Sequence, residues 1–517
     1  AIADKVAKTK WDDKNQLGGY IWHATGSGKT MTSFKSAQLI ANSKEADKVI
    51  FLMDRIELGS QSLIEYRNFA NEYESVQATE NTRALISKLK SSSPDDVLIV
   101  TSIQKMSKIK DEDGLNNHDI EIMNSKRIVL IIDEAHRSTF GEMLITIKST
   151  FPKAIFFGFT GTPIQKENKK KDNTTSTVFG DELHRYSIAD AIRDGNVLGF
   201  DPYKVLTFKD KDIRKVVALE KAKAKTELEA ISDPVKKKIY YKYMDSKQIG
   251  MARKIDQNGN KIDGIEDYLP NSQYETLEHT EAVVRDILEN WLTLSHNGKF
   301  HAIFATSSIP EAINYYRLIK SENSKLKVTA LFDPNIDNNG GVQFKEEALV
   351  ELIEDYNQRY GQDFTISSYA KMKKDISLRL AHKKPYQQIA NVPDKQIDLL
   401  IVVDQMLTGF DSKWINTLYL DKVLQYENLI QAFSRTNRIF GPDKPFGTIR
   451  YYRRPHTMEL NIDDAIKLYS GDKPLALFVQ KLTDNIKEMN AIFKEISDLF
   501  ANEGIENFEK LPEDIDA

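Results

Sequence analysis

Short, nearly continuous apolar runs recur along the first 200 residues, and helical stretches separate them. The runs lie at 19–22, 49–53, 97–100, 128–132 and 154–159. Strands that are apolar on both faces are typical of a parallel sheet covered by helices on its two sides. Regular alternation of strands and helices also implies right-handed βαβ units. The pattern therefore predicts an α/β lobe over residues 1–200.

A second and looser set of apolar runs follows, at 301–305, 328–332, 399–403 and 417–420. These runs predict a second α/β lobe over residues 296–465. A turn-rich segment that starts at Asp333–Pro334–Asn335 interrupts it, which predicts an insertion over 333–395. From residue 466 the pattern is helical, and we expect the start of a helical C-terminal domain at 466–517.

The region between the two lobes, residues 201–295, is lysine-rich and weakly patterned, and it predicts a helical connector. From Lys204 to Asp245 there are 12 Lys and Arg against 7 Asp and Glu, a surplus of 5. Two interpretations stay open at this point. The lysines either solvate a connector or form a surface that faces a polyanion.

Composition narrows the class of protein. The 517 residues are 40% hydrophobic and 29% charged, which excludes wholesale disorder and suits three or four domains. The absence of cysteine excludes thiolate catalysis, disulfides and Cys-rich zinc sites. No apolar run reaches the ~18 residues of a membrane span and no signal peptide opens the chain, so we expect a cytoplasmic protein without a membrane partner. A net charge of −4 means that any nucleic-acid site must be local.

A glycine-rich loop follows the first predicted strand and opens a predicted helix over 31–41. Glycines let backbone N–H groups approach phosphate oxygens, and the start of the helix adds partial positive charge. We expect Lys29 to pair with the β- and γ-phosphates of ATP and the Thr30 hydroxyl to ligate Mg²⁺. The residues predicted to hold the nucleotide are Thr25, Gly26, Ser27, Gly28, Lys29 and Thr30.

An acidic tetrapeptide, Asp133–Glu134–Ala135–His136, closes the apolar run at 128–132. Adjacent carboxylates at the end of a buried strand are costly unless a cation or a catalytic water uses them. We expect Asp133 to hold Mg²⁺ and Glu134 to polarise the attacking water. The next predicted strand ends in Thr160–Gly161–Thr162–Pro163, a hydroxyl-bearing loop suited to relaying the state of the phosphates to its neighbours.

Two segments of the second lobe complete the motifs that are predicted to bind and hydrolyse the nucleotide. Leu407–Asp411 follows a predicted strand, and Gln431–Arg438 is predicted to be helical. Arg435 and Arg438 are three positions apart, which would place them on one helical face. Two guanidiniums that face a triphosphate would act as arginine fingers, stabilising charge as the γ-phosphate leaves.

The ordered set resembles superfamily two helicases and, more closely, the motor (R) subunit of type I restriction enzymes. The closer features are 22–30, Asp54–Arg55 with Leu58 and Gln61, 191–195, and 431–438. The resemblance covers roughly residues 1 to 465. It also accommodates His23 at the position where phosphate loops usually open with a small residue. It implies two RecA-like lobes that sandwich ATP, with DNA lying across both.

The resemblance implies further roles and partners. On lobe one the DNA contacts would be Arg55, Thr101 and Gln104, and on lobe two Thr306, Ser307 and Thr408. Gly409 and Asp411 would sense the nucleotide, and Gln431 would approach the γ-phosphate. The implied partners are double-stranded DNA and the methyltransferase and specificity subunits of a type I restriction complex.

The family's nuclease domain is not recognisable in this sequence, and we expect the chain to be a piece of a longer polypeptide that moves on DNA rather than cutting it. The full subunit would also be a type I site-specific endonuclease. Three functions are considered: a duplex translocase, a generic superfamily two helicase or remodeller, and a non-hydrolysing DNA-binding scaffold. The intact ATPase residues argue against the scaffold. Because Lys29 is expected to serve phosphate rather than a core, Lys29→Ala is expected to change stability by no more than about 1 kcal/mol.

Overall fold

The computed structural model describes residues 1–53, 77–78, 81–112, 115–138, 141–170, 172–256, 260–333, 341–403, 410–471 and 482–502. The chain divides into two compact units, Ala1–Leu477 and Phe478–Ala517. Three predicted site residues, Arg55, Thr408 and Gly409, lie outside the described residues.

A parallel sheet forms the centre of the first lobe, and in the described residues its strand order is β3-β4-β2-β5-β6-β1-β7. The strands are β1 Leu17–His23, β2 Lys48–Met53, β3 Gln77–Ala78, β4 Leu98–Ser102, β5 Ile128–Ile132, β6 Ile155–Thr160 and β7 Glu182–Tyr186. The helices are α1 Ile2–Ala7, α2 Lys29–Ser43, α3 Thr82–Lys90, α4 Ile103–Ser107, α5 Asn117–Asn124, α6 Ala135–Ser138, α7 Glu142–Thr150, α8 Thr175–Phe179 and α9 Ile188–Arg193. Every residue of β2, β4, β5 and β6 is buried, which is why the apolar runs identified these strands.

The segment between the lobes contributes to the second lobe at both of its ends. Its elements are β8 Phe200–Lys204, α10 Asp210–Lys221, α11 Glu227–Ser232, α12 Pro234–Met244, β9 Lys254–Ile255, β10 Lys261–Ile262 and α13 Leu277–Leu294. β8 is the edge strand of the second sheet, and α13 is joined to that sheet by the Asp286–Arg450 ion pair at 2.6 Å. Residues 205–256 and 260–276 form a helical module between these two ends.

The module has two small apolar clusters of its own. One includes Ile213, Val217 and Leu269, and the other includes Ala218 and Tyr240. The predicted helical connector, residues 201–295, includes this module together with β8 and α13, which belong structurally to lobe two. β8 pairs with β15 of the second sheet, and Asp286 of α13 pairs with Arg450 of the same strand. Both elements are therefore part of lobe two.

The second sheet is also parallel, with the order β12-β13-β11-β14-β15-β8 among the described residues. The remaining strands are β11 His301–Thr306, β12 Val328–Leu331, β13 Leu399–Val402, β14 Ile415–Asp421 and β15 Gly447–Tyr451. The remaining helices are α14 Ile309–Glu322, α15 Val342–Tyr360, α16 Tyr369–Ala381, α17 Tyr426–Phe433, α18 Pro455–Tyr469 and α19 Leu482–Asn502. Helices α15 and α16 fall within the predicted insertion, between the neighbouring strands β12 and β13. Two RecA-like parallel-sheet lobes confirm the predicted α/β class.

Short 3₁₀ helices lie at Pro94–Asp96, Ile109–Asp111, Ile265–Tyr268, Asn271–Tyr274, Ile366–Ser368, Ile389–Asn391 and Pro393–Lys395. The second compact unit is described through α19. Among the described helices, none is both long enough and apolar enough to cross a membrane.

The topology brings the predicted motifs of lobe one to a single edge of its sheet. β1 lies beside β6, and β5 lies on the other side of β6. Because the three strands are parallel, the loops that follow them meet at their carboxyl ends, where parallel sheets bind ligands. These loops hold the glycine-rich segment, the acidic pair and the Thr160–Pro163 segment.

Candidate nucleotide-binding site between the two lobes

The glycine-rich loop has the backbone of a phosphate cradle. Gly26 and Gly28 have φ angles of 97° and 95°, a left-handed conformation that glycine adopts without steric cost. Gly28 is the N-cap of α2, so no side chain occupies the N–H groups at the start of this 15-residue helix. A Cβ at Gly28 would meet no atom of the described residues within 4 Å. The start of α2 therefore faces open space in which an anion fits.

Neighbouring groups hold the loop in place. A Cβ at Gly161 would lie 2.5 Å from Oγ1 of Thr25, so the loop after β6 packs directly on the phosphate loop and needs glycine there. Ser27 Oγ donates to the Ala24 carbonyl at 2.8 Å and lies 3.1 Å from Nδ1 of His23. Burial lowers the pKa of His23, which favours the neutral ring beside Ser27. His23 thus positions the loop.

Lys29 is buried and bridges the two carboxylates of the acidic pair. Its Nζ lies 3.1 Å from Asp133 Oδ1 and 2.7 Å from Glu134 Oε1. Burial alone would lower the pKa of Lys29, but the two carboxylates outweigh it and raise that pKa. Burial raises the pKa of Asp133, an effect that Lys29 opposes and Glu134 strengthens. One lysine cannot neutralise two carboxylates, so the site has excess negative charge.

That charge and the ligand types fit a magnesium ion. The Asp133 carboxylate and the Thr30 hydroxyl are hard oxygen donors, which Mg²⁺ prefers together with substrate phosphates. Glu134 has a φ of 50°, a left-handed conformation that is strained for a side-chain-bearing residue. Its N–H donates to Asp133 Oδ1 at 2.9 Å. The strain is typical of a functional site and directs the Glu134 carboxylate toward Lys29.

Gln431 of lobe two reaches into lobe one. Its Nε2 donates to Thr162 Oγ1 at 2.9 Å and to His136 Nε2 at 2.5 Å. On the far side of the ring, His136 Nδ1 lies 2.8 Å from Thr160 Oγ1. All four side chains are buried. A hydrogen-bonded chain therefore joins α6, the short helix that follows the acidic pair, to α17 of the other lobe.

His136, Thr160 and Thr162 were noted in the sequence only as members of their motifs. Spacing gave them no partner, because their common contact, Gln431, is 295 positions from His136. The signal that was available is the hydroxyl-rich loop one strand after the acidic pair. This loop predicts a relay of the phosphate state, but it does not identify Gln431 as the residue that the relay contacts.

Arg438 is the lobe-two cation at the phosphate loop. A Cβ at Gly26 would lie 2.5 Å from Arg438 Nη1, so the guanidinium rests against the loop backbone. Its Nε lies 2.6 Å from Asp411 Oδ1, which holds the side chain from behind. Arg435, predicted to share this role, is buried and bonds within its own lobe, to the carbonyls of Gln431 and Phe410.

The prediction that residues 431–438 form one helix is wrong beyond Phe433, where α17 ends. The Thr436 hydroxyl donates to the Phe433 carbonyl at 2.9 Å and so competes with the helical backbone bonds. The Asn437 carbonyl then accepts from Leu198 N at 2.8 Å. Arg435 and Arg438 consequently do not share a helical face, which explains their different surroundings.

The predicted DNA contacts that lie within the described residues are at the carboxyl ends of β4 and β11. Thr101 and Thr306 are buried, whereas Gln104 and Ser307 are partly exposed. Ser307 Oγ donates to the Asp421 carbonyl at 3.0 Å. Of these four residues, only Gln104 and Ser307 have side chains that are accessible to a DNA strand.

Two parallel-sheet lobes with a phosphate loop, an acidic pair and an arginine from the opposite lobe define a two-lobe ATPase of the helicase type. The family model described as SWI2/SNF2 ATPase matches residues 1–238. The family model described as Type I restriction enzyme subunit R domain 3 matches residues 298–454. The first match covers lobe one and extends through β8 into the helical module, and the second lies within lobe two.

Relatives carry the same family name over most of the chain. A type I restriction enzyme endonuclease subunit of Staphylococcus aureus (strain MSSA476) is 38% identical over 461 residues, covering 87% of this chain and 43% of the relative. A Mycoplasma pneumoniae protein named as the C-terminal part of such a subunit is 42% identical over 161 residues, covering 29% of this chain and 73% of that protein. The chain belongs to the family of type I restriction enzyme endonuclease (R) subunits. It spans less than half the length of the S. aureus relative.

Among solved structures, a fragment from Vibrio vulnificus named as an HsdR subunit of a type I restriction enzyme aligns with a TM-score of 0.49 and 14% identity. The alignment covers 88% of this chain and 62% of that fragment.

Proposed function

We propose that this chain is an ATP-driven motor that moves along double-stranded DNA, as part of the R subunit of a type I restriction enzyme. The observation that carries the proposal is the position of Arg438, a lobe-two residue that rests against Gly26 of the lobe-one phosphate loop. A nucleotide at this loop would touch both lobes. Membership of an ATPase family supports hydrolysis as the chemistry of the site.

Each residue has a distinct task in hydrolysis. When nucleotide binds, Lys29 would leave the carboxylates of Asp133 and Glu134 and pair with the β- and γ-phosphates, which its position at the start of α2 allows. Glu134 accepts a hydrogen bond from the attacking water, and Arg438 stabilises the charge that develops as the γ-phosphate leaves. Asp133 and Thr30 would hold Mg²⁺, which would neutralise phosphate charge when bound.

Coupling to movement follows from the contacts between the lobes. Besides Gln431, Glu427 on α17 accepts from Asn168 Nδ2 at 2.9 Å and pairs with Lys170 at 2.9 Å. These contacts exist only while the lobes are together. ATP bound to both lobes favours the closed state and hydrolysis removes that preference, so the lobe equilibrium shifts once per turnover.

The remaining assignments belong to the same proposal. Gln104 and Ser307 would contact a DNA strand, with Thr101, Thr306, Arg55 and Thr408 beside them, and Gly409 and Asp411 would respond to the nucleotide. We take residues 1–199 as lobe one. We take residues 296–465, together with β8 and α13, as lobe two. The methyltransferase and specificity subunits would be the protein partners, in the cytoplasm, where the DNA is.

The test is phosphate release measured with and without blunt duplex DNA. The parent chain should hydrolyse ATP faster with duplex, and Arg438→Ala should lower kcat by about 10³-fold, the usual contribution of an arginine finger. The matched control is Arg285→Ala, which removes an exposed arginine of α13. Hydrolysis by Arg438→Ala at the parent rate would contradict an active site completed by lobe two.

A further inference from the structure

One face of α12, defined by Lys237, Lys238, Tyr241 and Lys242, is the most uniformly basic surface of the helical module. These positions form two i,i+4 rows, Lys237 with Tyr241 and Lys238 with Lys242, so they share one side of the helix. All four residues are exposed, and Tyr241 is 49% accessible. We call this surface the α12 face.

The lysines of the α12 face have no ion pair with any residue that the structure describes. The nearby carboxylates are already engaged, because Glu227 pairs with Lys215 at 2.7 Å and Glu229 with Lys236 at 2.5 Å. Glu227 and Glu229 thus neutralise Lys215 and Lys236 rather than the lysines of the α12 face. The positive charge of the α12 face is left for an external group.

This arrangement costs helix stability. Like charges four positions apart, such as Lys238 and Lys242, repel each other. Lys242 lies in the last turn of α12, where a cation suits the helix dipole, so the cost comes from the repulsion alone. The N-cap is satisfied, since Asp233 Oδ1 accepts from the N–H groups of Val235 and Lys236 at 2.8 and 2.9 Å, so it is the lysine side chains that are available to an anion.

The helical module that carries the α12 face is hydrogen-bonded to lobe two. On the opposite side of α12, Tyr240 is buried in the module's core. The module is fastened to α18, where Glu266 accepts from the Thr457 N–H at 2.7 Å and Arg253 donates to Asn461 at 3.0 Å. Helix α18 packs against α17, the helix that carries Gln431. An anion held by the α12 face therefore moves with the lobe that completes the nucleotide site.

We infer that the α12 face is a second DNA contact on lobe two, which binds the phosphate backbone of the duplex through Lys237, Lys238 and Lys242. The inference rests on the proposed function, in which the chain moves along DNA. Three lysines and a tyrosine hydroxyl suit phosphate oxygens, and they carry no base-reading geometry. Contact of this kind is independent of sequence, as a moving protein requires.

The experiment is a salt titration of binding to labelled blunt duplex, followed by fluorescence anisotropy. Each phosphate contact adds about 0.9 to the slope of log K against log salt. The variant K237E/K238E/K242E should therefore lose about 2 to 3 from the slope and at least about tenfold in affinity near 0.1 M salt. K237R/K238R/K242R should keep both.

The matched control is K5E/K8E/K14E, which makes the same charge change at exposed lysines at the start of lobe one. It should keep the parent slope. Far-UV circular dichroism and the melting temperature establish that each variant is folded.

A parent slope that persists in the folded K237E/K238E/K242E variant would overturn the inference and leave the proposed function standing. Loss of association with the other restriction subunits at unchanged DNA affinity would also overturn it, by making the α12 face a protein interface. A parent chain that binds no duplex at all would refute the proposed function itself.

Discussion

Removing Lys29 should destabilise the protein even without nucleotide, contrary to what the sequence led us to expect. The Lys29 side chain is 7% exposed, and the carboxylates it bridges, Asp133 and Glu134, are 16% and 26% exposed. Removing one partner of a buried ion pair costs about 3–5 kcal/mol, since the other charge is left uncompensated. Water reaches Glu134 in part, so we expect Lys29→Ala to lose about 2–4 kcal/mol.

The assay is urea unfolding at pH 8 in buffer that contains EDTA and no nucleotide. The control is the double variant Lys29→Ala, Glu134→Gln, which removes one of the two stranded charges and should recover about half of the loss. A loss below about 0.5 kcal/mol for Lys29→Ala, or a double variant that is less stable than the single one, would refute the reasoning.

Three further predictions concern the site and its surroundings. Glu134→Gln should bind ATP and retain it, because Asp133 and Lys29 remain; loss of nucleotide binding would show that the two carboxylates have been given the wrong roles. Gln431→Ala removes two hydrogen bonds between the lobes and should lower kcat by about 10- to 30-fold at similar nucleotide Kd; an unchanged kcat would argue against the relay. Burial, with Arg438 nearby, lowers the pKa of Lys444 to about 7, so between pH 7 and 9 the unfolded chain binds a proton that the native chain lacks and stability rises with pH. Lys444→Met should flatten that rise in urea unfolding, whereas the exposed control Lys413→Met should keep it.

Strands buried on both sides were predictable, and polar or partly exposed strands were not. The runs at 49–53 and 128–132 became β2 and β5 within one residue. β7, with the sequence ELHRY, is partly exposed and contains no apolar run that would predict a strand. β15 pairs with strands on both sides but carries Arg450, whose charge is neutralised by Asp286 of α13, 164 positions away. Local pattern cannot reveal a polar strand that a distant residue makes tolerable.

The nucleotide site also has parts that the sequence predicts and parts that it does not. The phosphate loop and the acidic pair were predictable because their chemistry lies in contiguous residues. The Gln431–His136 bond and the contact of Arg438 with Gly26 depend on how two lobes meet, and no spacing encodes that. The end of α17 at Phe433 was also missed, because no glycine or proline marks it in the sequence.

The central claim is that hydrolysis between the lobes moves duplex DNA, and triplex displacement tests it most directly. A labelled third strand is placed at increasing distances along blunt linear duplexes, and its release is followed after ATP is added. We predict release that requires ATP, is lost in Arg438→Ala, and begins after a lag that lengthens with distance. Duplex-stimulated hydrolysis that leaves the third strand in place, or release at a rate independent of distance, would contradict the account.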